Sequence, residues 1–506
     1  MNDRRLKVGI LSFDGTTTLA LDKLREEIER LPFVECMIFS AKKHQPMVCP
    51  PLPWIARMYL ALDRFLLARL SRIPDPAGPP VNRQAPTTQL PASTIKDLQP
   101  DILIDTGSED DAYADYASST RHGIWFGSRN CLGAMVRGDT VLANKVVRIA
   151  PSGDRQILYC CMTGVNQFSH QVCESRARWD FNSHVICLLR RLHETGELAI
   201  LEPGRADPEI GSIEFLGWLP RLIVRLATKL VKTLLGRDIW VVGLSADGTL
   251  EFHELKSSPG TYLADPFPVS VGPLRLLFYE EYKYVEEKGR LMCAEIDQGF
   301  ELRNPRPVLE APYHLSFPFV FEDEGNFWMV PESKRSSAIS LYRCTLSPFQ
   351  WEFERDLMSN VSAVDTILIK HQGLYWMFTT LAKPESGTTD ELFLFYSDTL
   401  SSDWTSHPMN PVVSDARVAR CAGRLFMCDG DWFRPGQDCS VRYGRSVVFN
   451  RIIEWTVDRY EESPESEFDG GWCRNGQGAH TWNTDGSVVA VDGAVWQPFW
   501  KKSGTR

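Results

Sequence analysis

The stretch Leu315 to Ser333, LSFPFVFEDEGNFWMVPES, constrains the fold more than any other part of this 506-residue chain. Two short runs of aromatic and β-branched residues flank an acidic, glycine-containing turn at Glu322 to Asn326, the pattern of a β-hairpin. The design recurs at Asp365 to Thr380, DTILIKHQGLYWMFTT, with His371, Gln372 and Gly373 in the turn. It recurs again at Gly423 to Gln437, GRLFMCDGDWFRPGQ. Phe319, Ile367 and Leu425 mark a period of roughly 50 to 60 residues, the length of one four-stranded propeller blade with its loops.

From Asp238 onward helical periodicity gives way to short strands separated by Gly, Asp or Asn turns, as in IWVVGLSADGTLEFHEL, LRLLFYEEYKYVEEKGRLMCAEI, LFLFYSDTL and SVVAVDGAVW. No Trp-Asp or Gly-His repeat points to a WD40 array. Blades near Leu274, Phe319, Ile367, Leu425 and Val448 make five, with the strands of Trp240 to Leu255 and Ser487 to Trp496 closing the ring.

The first half reads differently. A strand at Lys7 to Phe13, an amphipathic helix at Leu21 to Leu31 and a strand at Val34 to Ser40 imply a parallel, doubly wound sheet, extended by Asp101 to Asp105 and Gly123 to Gly127. Asp14 and Gly15 stand where such a sheet holds a ligand, but without a GxGxxG fingerprint an ordinary βα turn is the simpler reading. Pro50 to Ile73 carries an apolar stripe interleaved with Arg57, Arg64, Arg69 and Arg72, either a helix for an anionic surface or a docked helix with snorkelling arginines. Pro74 to Pro91 is a loop. Phe181 to Gly196 is a helix with a glycine cap. Trp218 to Gly236 spaces Arg221, Arg225, Lys229 and Lys232 among Leu, Ile and Val, which suits an interdomain connector or a lipid headgroup surface. The expected division is an α/β domain over residues 1–200, a helical connector over 201–237 and an all-β propeller over 238–506.

A net charge of -10 disfavours nucleic acid as the main partner. The 13 cysteines form no CxxC pair or Cys/His cluster, so the expectation is a reduced protein with no metal site and no cofactor. The opening MNDRRLKVGILSFDG runs into an apolar strand too short for a signal peptide, and no run reaches the roughly 18 to 20 apolar residues of a membrane span. A cytoplasmic protein, peripheral to the membrane through the helix at 218–236, is expected.

Inner strands of a five-bladed propeller face one funnel, so carboxylates at their starts can converge. Asp265 in LADPF, Glu332 in VPES and Asp365 in AVDT occupy such places. Glycosyl transfer or hydrolysis needs two converging carboxyls, one protonated to assist the leaving oxygen and one ionised as base or nucleophile. A third nearby raises the acid's pKa by repulsion. Each also has a bland reading, as a turn cap, a loop anchor or a partner of backbone amides. Arg434, Gln437, Asp438 and Arg442 would hold a hydroxyl-rich or phosphorylated ligand, unless Arg434 and Asp438 form a structural ion pair. Trp328, Trp376, Trp432 and Trp482 suit stacking on sugar faces or simply a propeller core.

Two resemblances add to this reading. KVGIL, PDILIDTG and RHGIWFGSRNCLGAMVRGD resemble the Rossmann-like N-terminal domain of formyltransferases acting on methionyl-tRNA or amino-sugar nucleotides. That family uses an Asn-x-His pair and a downstream Asp. Here the matching place reads Trp125, Phe126, Gly127, Ser128, with Asn130 further on and no histidine, which disfavours formyl transfer and leaves Arg129, Asn130 and Asp139 as sugar or nucleotide contacts or as parts of a structural domain.

The second resemblance covers about residues 240–500. ADPF, SFPFVFEDEGNFWMVPES, VDTILIKHQGLYWMFTT, ELFLFYSDTLSSDWTSHPMNPV and RPGQDCSVRYG resemble the propeller domain N-terminal in plant glucosamine inositolphosphorylceramide transferases and related bacterial proteins. That domain is in turn similar to the arabinanase, levansucrase and invertase superfamily. The resemblance implies Asp265 as base or nucleophile, Glu332 as acid and Asp365 as the orienting carboxylate. It also implies His480, in AHTWN, as a funnel histidine. Glu332 departs from the pattern by following a hairpin turn instead of opening a blade. The expected function is glycosyl transfer in cell-surface polysaccharide or glycolipid synthesis, on a sugar, sugar-phosphate or nucleotide-sugar substrate. The alternatives are a non-catalytic glycan-binding or nucleotide-sugar-binding module, a glycoside hydrolase, and formyl transfer to an amino sugar.

Overall fold

The structure is a computed structural model that describes residues 5–13, 18–41, 54–67, 74–77, 90–106, 114–201, 212–246, 249–333, 336–345, 348–382 and 387–500. The chain forms two compact units, one mainly of Met1–Val224 and one of Arg225–Ala382 with Gly387–Arg506.

The first unit is built on a seven-stranded sheet in the order Leu90–Pro91, Val34–Ala41, Leu6–Phe13, Ile102–Asp105, Ile124–Ser128, Val141–Ile149, Arg155–Gly164. The first five strands are parallel and the last two antiparallel. The expected parallel strand, helix, strand start is present. The sheet as a whole is mixed, because a tight turn at Ala150 to Asp154 folds the last two strands into a hairpin. Asp14 and Gly15, at the end of the first strand, lie outside the described residues, as do Arg69 and Arg72.

Against this sheet packs the helix His170–Thr195, which starts eleven residues before the expected Phe181. The Ser169 hydroxyl caps it by accepting from Val172 N, and Gly196 ends it at φ 75°. Its Phe181, Val185, Leu188 and Leu189 meet Val8, Ile10, Ile102 and Trp125 in one core.

The second unit is a five-bladed propeller. Its first four blades run Thr261–Leu309, Ser316–Ser359, Ala363–Ser406 and Arg420–Phe468. The fifth combines the C-terminal strands Gly476–Gly478, Trp482–Thr484 and Val488–Pro498 with the earlier Gly236–Ala246 and His253–Glu254. Five blades were expected, but Leu425 and Val448 share the fourth, and the closing strands supply the fifth. Strands that pair in sequence order are adjacent in the ring, so two hairpins in one blade counted as two.

The hairpin turns are tighter than the sequence suggested. Asp323 pairs directly with Asn326, His371 with Leu374 and Cys428 with Asp431, leaving two-residue loops. Both loop residues have positive φ in each: Glu324 and Gly325, Gln372 and Gly373, Asp429 and Gly430. That is the turn that follows strand twist, and glycine at its second position relieves the strain. Between blades, Phe267, Phe278, Phe317, Phe319, Trp376 and Phe378 are almost wholly buried in one core. Trp376 is therefore a core residue, and Trp482 packs on Phe426 and Phe449. The other two tryptophans, Trp328 and Trp432, are partly buried against the same core.

The inner strands of the first three blades share an irregularity that matters for the site. Each breaks register with its neighbour, between Ala264 and Phe267, Ser316 and Phe319, and Val364 and Ile367. At each break one residue takes a left-handed conformation: Asp265 at φ 49°, Phe317 at 46° and Asp365 at 50°. Such bulges re-aim a side chain out of the strand's alternation.

Two glycines separate strain from collision. At Gly325, φ 77°, an added Cβ meets nothing within 4 Å, whereas at Gly423, φ 150°, it falls 2.1 Å from the Trp482 carbonyl oxygen. Gly325→Ala should cost about 1 kcal/mol and Gly423→Ala about 3 kcal/mol. Equal shifts of the two variants in urea unfolding would contradict this packing.

Candidate active site

The bulges and the residues facing them bring all five blades to one place. Opposite the inner strands, Ala264 pairs with Glu280, Ser316 with Glu332, Val364 with Thr380 and Arg420 with Gln437. Equivalent positions on successive second strands thus present Glu280, Glu332, Thr380 and Gln437 beside Asp265, Phe317, Asp365 and Arg420. In the fifth blade His480 sits between the paired residues Gly478 and Trp482, facing Asp492 of the next strand.

Asp265 and His480 form one half of the cluster. His480 Nε2 lies 3.1 Å from Asp265 Oδ1, and its Nδ1 lies 2.7 Å from Asp492 Oδ1. Asp265 also accepts from Phe317 N at 3.0 Å and from the Thr481 hydroxyl at 3.0 Å, while its own amide donates to Asp492 Oδ2. Burial opposes charge on the imidazole, but Asp492 and Asp265 outweigh it and push His480 up to about 10. Burial likewise opposes ionisation of Asp265, and the charge and hydrogen bond of His480, with the Phe317 amide and Thr481 hydroxyl, hold it below the usual carboxylate range. The Trp240 ring covers the imidazole at 3.8 Å between centroids, and Tyr443 meets it edge-on at 5.2 Å.

The other half is organised by Arg420. Its Nε donates to Asp365 Oδ2 at 2.6 Å, its Nη1 to the Thr388 hydroxyl at 3.0 Å, and its Nη2 reaches Glu332 Oε2 at 3.5 Å. Gln437 Nε2 donates both to Asp365 Oδ2 and to the Cys421 carbonyl at 2.7 Å. The short bond goes to Asp365 and the long one to Glu332. Burial, followed by the charge of Asp365, raises it well above the ordinary value against the pull of Arg420. Glu280 is raised in the same way, by burial and then by Asp265, and among the described residues its Oε1 accepts no hydrogen bond, with His314 Nε2 3.8 Å away.

Of the residues expected at the site, Asp265, Glu332, Asp365, Gln437 and His480 are together. Arg434, Asp438 and Arg442 are elsewhere. Side chains alternate along a strand, so Arg434 and Asp438 share a face that Gln437 does not. Arg434, fully buried, pairs with Glu462 and donates to the Val418 carbonyl. Asp438 pairs with Arg445 and accepts from Ser440 N, so the expected Arg434–Asp438 pair is replaced by two others. Arg442 binds the Gln477 carbonyl at the junction of blades 4 and 5. In the first unit, Asn130 Oδ1 caps a helix at Gly133 N, Arg129 pairs with Glu174 and Asp139 with Arg137.

Sequence reasoning missed Glu280, Arg420, Tyr443 and Asp492. Glu280 had a signal, since it takes in LRLLFYEEY the place that Glu332 takes in NFWMVPES. Arg420 had none, because its inner strand is only two residues long. Asp265, His480 and Asp492 offer three ligand atoms within 4.8 Å of one another, a grouping of metal-binding type. With both imidazole nitrogens directed at carboxylate oxygens, a protonated histidine already supplies the positive charge such a grouping needs.

Fold and cluster together define a five-bladed propeller with a carboxyl-rich funnel. Residues 249–488 match the family model described as glucosamine inositolphosphorylceramide transferase 1, N-terminal. Over 210 residues the chain is 35% identical to the protein of that name from Oryza sativa subsp. japonica, covering 41% of this chain and 28% of the relative. The Arabidopsis thaliana protein is 32% identical over 211 residues, covering 40% and 27%. The chain thus spans less than a third of the length of the curated relatives it matches. Among solved structures, the catalytic domain of the Coprinopsis cinerea GH62 alpha-L-arabinofuranosidase aligns over 50% of this chain and 97% of its own, with 11% identity and a TM-score of 0.37. The family 117 glycoside hydrolase Zg3597 of Zobellia galactanivorans aligns over 50% and 90%, with 12% identity and a TM-score of 0.33.

His480 gives the cluster a pH signature. It binds its proton more tightly folded than unfolded, so its stabilisation is complete below its ordinary value of 6.5 and is lost as pH rises towards about 10. His480→Gln leaves two buried carboxyls without a cation and should cost about 3–5 kcal/mol near neutral pH. Denaturant unfolding between pH 6 and 10, about the window set by that shift, should show the wild-type slope and a flatter one in the variant. Identical slopes would show that the contacts of His480 with Asp265 and Asp492 do not set the pH dependence.

Proposed function

We propose that this protein is a carbohydrate-active enzyme that transfers a glycosyl group in the synthesis of a cell-surface polysaccharide or glycolipid. The observation that carries the reading is the convergence of Asp265, Glu332 and Asp365, from three blades, with opposite protonation tendencies in Glu332 and Asp265. Glu332 would give its proton to the leaving oxygen, and Asp265 would act as base or nucleophile towards the acceptor or the anomeric carbon. Asp365, held by Arg420 and Gln437, would orient Glu332 and keep its pKa raised. Trp240 and Tyr443 would offer ring faces to a sugar. The plant relatives are named as glucosamine inositolphosphorylceramide transferases, and a nucleotide-sugar donor with a lipid-linked acceptor follows from that likeness as part of the proposal. A cytoplasmic place at the membrane surface goes with synthesis of such a product, and a glycoside hydrolase would use the same groups with water as acceptor.

One observation favours a second reading, a non-catalytic module that binds a glycan or nucleotide sugar for a partner transferase. Both oxygens of Asp265 are already engaged, as is Asp365 Oδ2, so these carboxylates suit a rigid frame as well as a reactive one.

Thermal stabilisation by nucleotide sugars and sugar phosphates, followed by turnover with the stabilising compound, separates the two. Under the enzyme reading, Glu332→Gln and Asp265→Asn keep ligand binding and lose turnover by about a hundredfold or more. Stabilisation by a ligand with no product from the wild type, unchanged in both variants, would leave only the binding module.

A further inference from the structure

One acid of the funnel is held by packing and not by hydrogen bonds. Asp265, Asp365 and Asp492 accept from His480, Arg420, Gln437 or backbone amides, and Glu332 meets Arg420 at 3.5 Å. Glu280, with its side chain 5% exposed, makes no hydrogen bond among the described residues. His314 Nε2 stands 3.8 Å from its Oε1, beyond hydrogen-bond reach. That imidazole is fixed in place by Gly289 N, which donates to Nδ1 at 2.8 Å. Gly289 also makes room for the carboxyl, since a Cβ there would fall 2.3 Å from Oε1. Oε1 is enclosed, whereas Oε2 is equally unbonded but not shut off from solvent.

The carboxyl belongs to the funnel by position. Glu280 takes in blade 1 the place that Glu332 takes in blade 2, opposite Ala264 and beside the bulge at Asp265. The charges that bear on it are those of Asp265, His480, Glu332 and Asp492. A buried carboxyl without partners costs stability, so its presence calls for a reason outside the fold. A ligand hydroxyl supplies one, because it gives its hydrogen to a carboxylate or accepts one from a carboxylic acid. A phosphate would instead bring negative charge up to Asp265, Asp492 and Glu332.

We propose that Glu280 contacts the ligand directly, hydrogen-bonding a sugar hydroxyl through Oε2 and turning phosphate away from this corner of the funnel. The proposal rests on the carbohydrate reading of the funnel and adds which part of the ligand blade 1 takes. The phosphates of a nucleotide-sugar donor would then lie away from blade 1.

The test is calorimetric titration of the full chain with glucose, galactose, mannose, xylose and N-acetylglucosamine, then with the monodeoxy analogues and the phosphate of whichever binds. In the wild type, removal of one particular hydroxyl should weaken binding about tenfold or more, and the phosphate should bind less well than the neutral sugar. In Glu280→Leu the parent sugar should bind about tenfold more weakly, and the same hydroxyl should cease to matter, which a purely structural role would not produce. Its melting temperature should hold or rise, because an unpartnered buried carboxyl is gone. If the leucine variant misfolds, Glu280→Gln keeps the shape and should shrink the penalty for the same deoxy sugar about threefold or more. No binding of any of these sugars, an equal deoxy penalty in wild type and variants, or a preference for the phosphate overturns the proposal. So does calcium chloride that stabilises the wild type but not the variants, which would assign the carboxyl to a cation. The readout is binding alone, so a Glu280-dependent sugar contact without product would sink glycosyl transfer only, and turnover without that contact would sink this inference only.

Discussion

The propeller depends on one pairing, that of Gly236–Ala246 with Val488–Pro498. The two strands match residue for residue over eleven positions, although some 250 residues of chain lie between them. Without that ladder the fifth blade would lose its outer strands and the ring would have two open edges, which exposed backbone groups make prone to other pairings. The same pairing builds the site. Trp240, from the early strand, stacks on His480, from the late segment, and Asp492 on the partner strand takes the imidazole's second nitrogen. Folding is therefore committed to a long loop closure before the funnel exists.

Once closed, the ring confines at least five carboxyl-bearing side chains, Asp265, Glu280, Glu332, Asp365 and Asp492, around Arg420 and His480, with His314 3.8 Å from Glu280. Electrostatics decides how this is tolerated. The cations pair at short range with Asp265, Asp492 and Asp365, and at the remaining acids, Glu332 and Glu280, burial and the neighbouring carboxylates raise the pKa. The opposite pKa directions of Glu332 and Asp265 thus follow from their partners: His480, the Phe317 amide and the Thr481 hydroxyl hold Asp265 down, while burial and the charge of Asp365 outweigh the distant Arg420 at Glu332.

Much of this was legible along the chain. Aromatic and β-branched runs around Gln372-Gly373 or Asp429-Gly430 specify hairpins because the two-residue turn is a local property. Asp265 and Asp365 stood out because each opens an apolar strand, and the bulge at each explains why a buried carboxylate is tolerated there. Arg434 and Asp438 are drawn out of the cluster by Glu462, on the blade's outer strand, and by Arg445, in the turn that follows Asp438. Glu280 was overlooked beside Glu281, although it takes in its strand the place that Glu332 takes in the strand of the next blade.

The sequence by itself determined the strands, the turns and the repeat, and with them a propeller following an α/β unit, since periodicity and turn chemistry act over a few residues. Only the tertiary structure decided which hairpins share a blade, that a mixed sheet underlies the first unit, and in which direction each buried acid is shifted. Those depend on pairing partners far apart in the chain and on how much water and countercharge reach each group, quantities that exist only when the ring is closed.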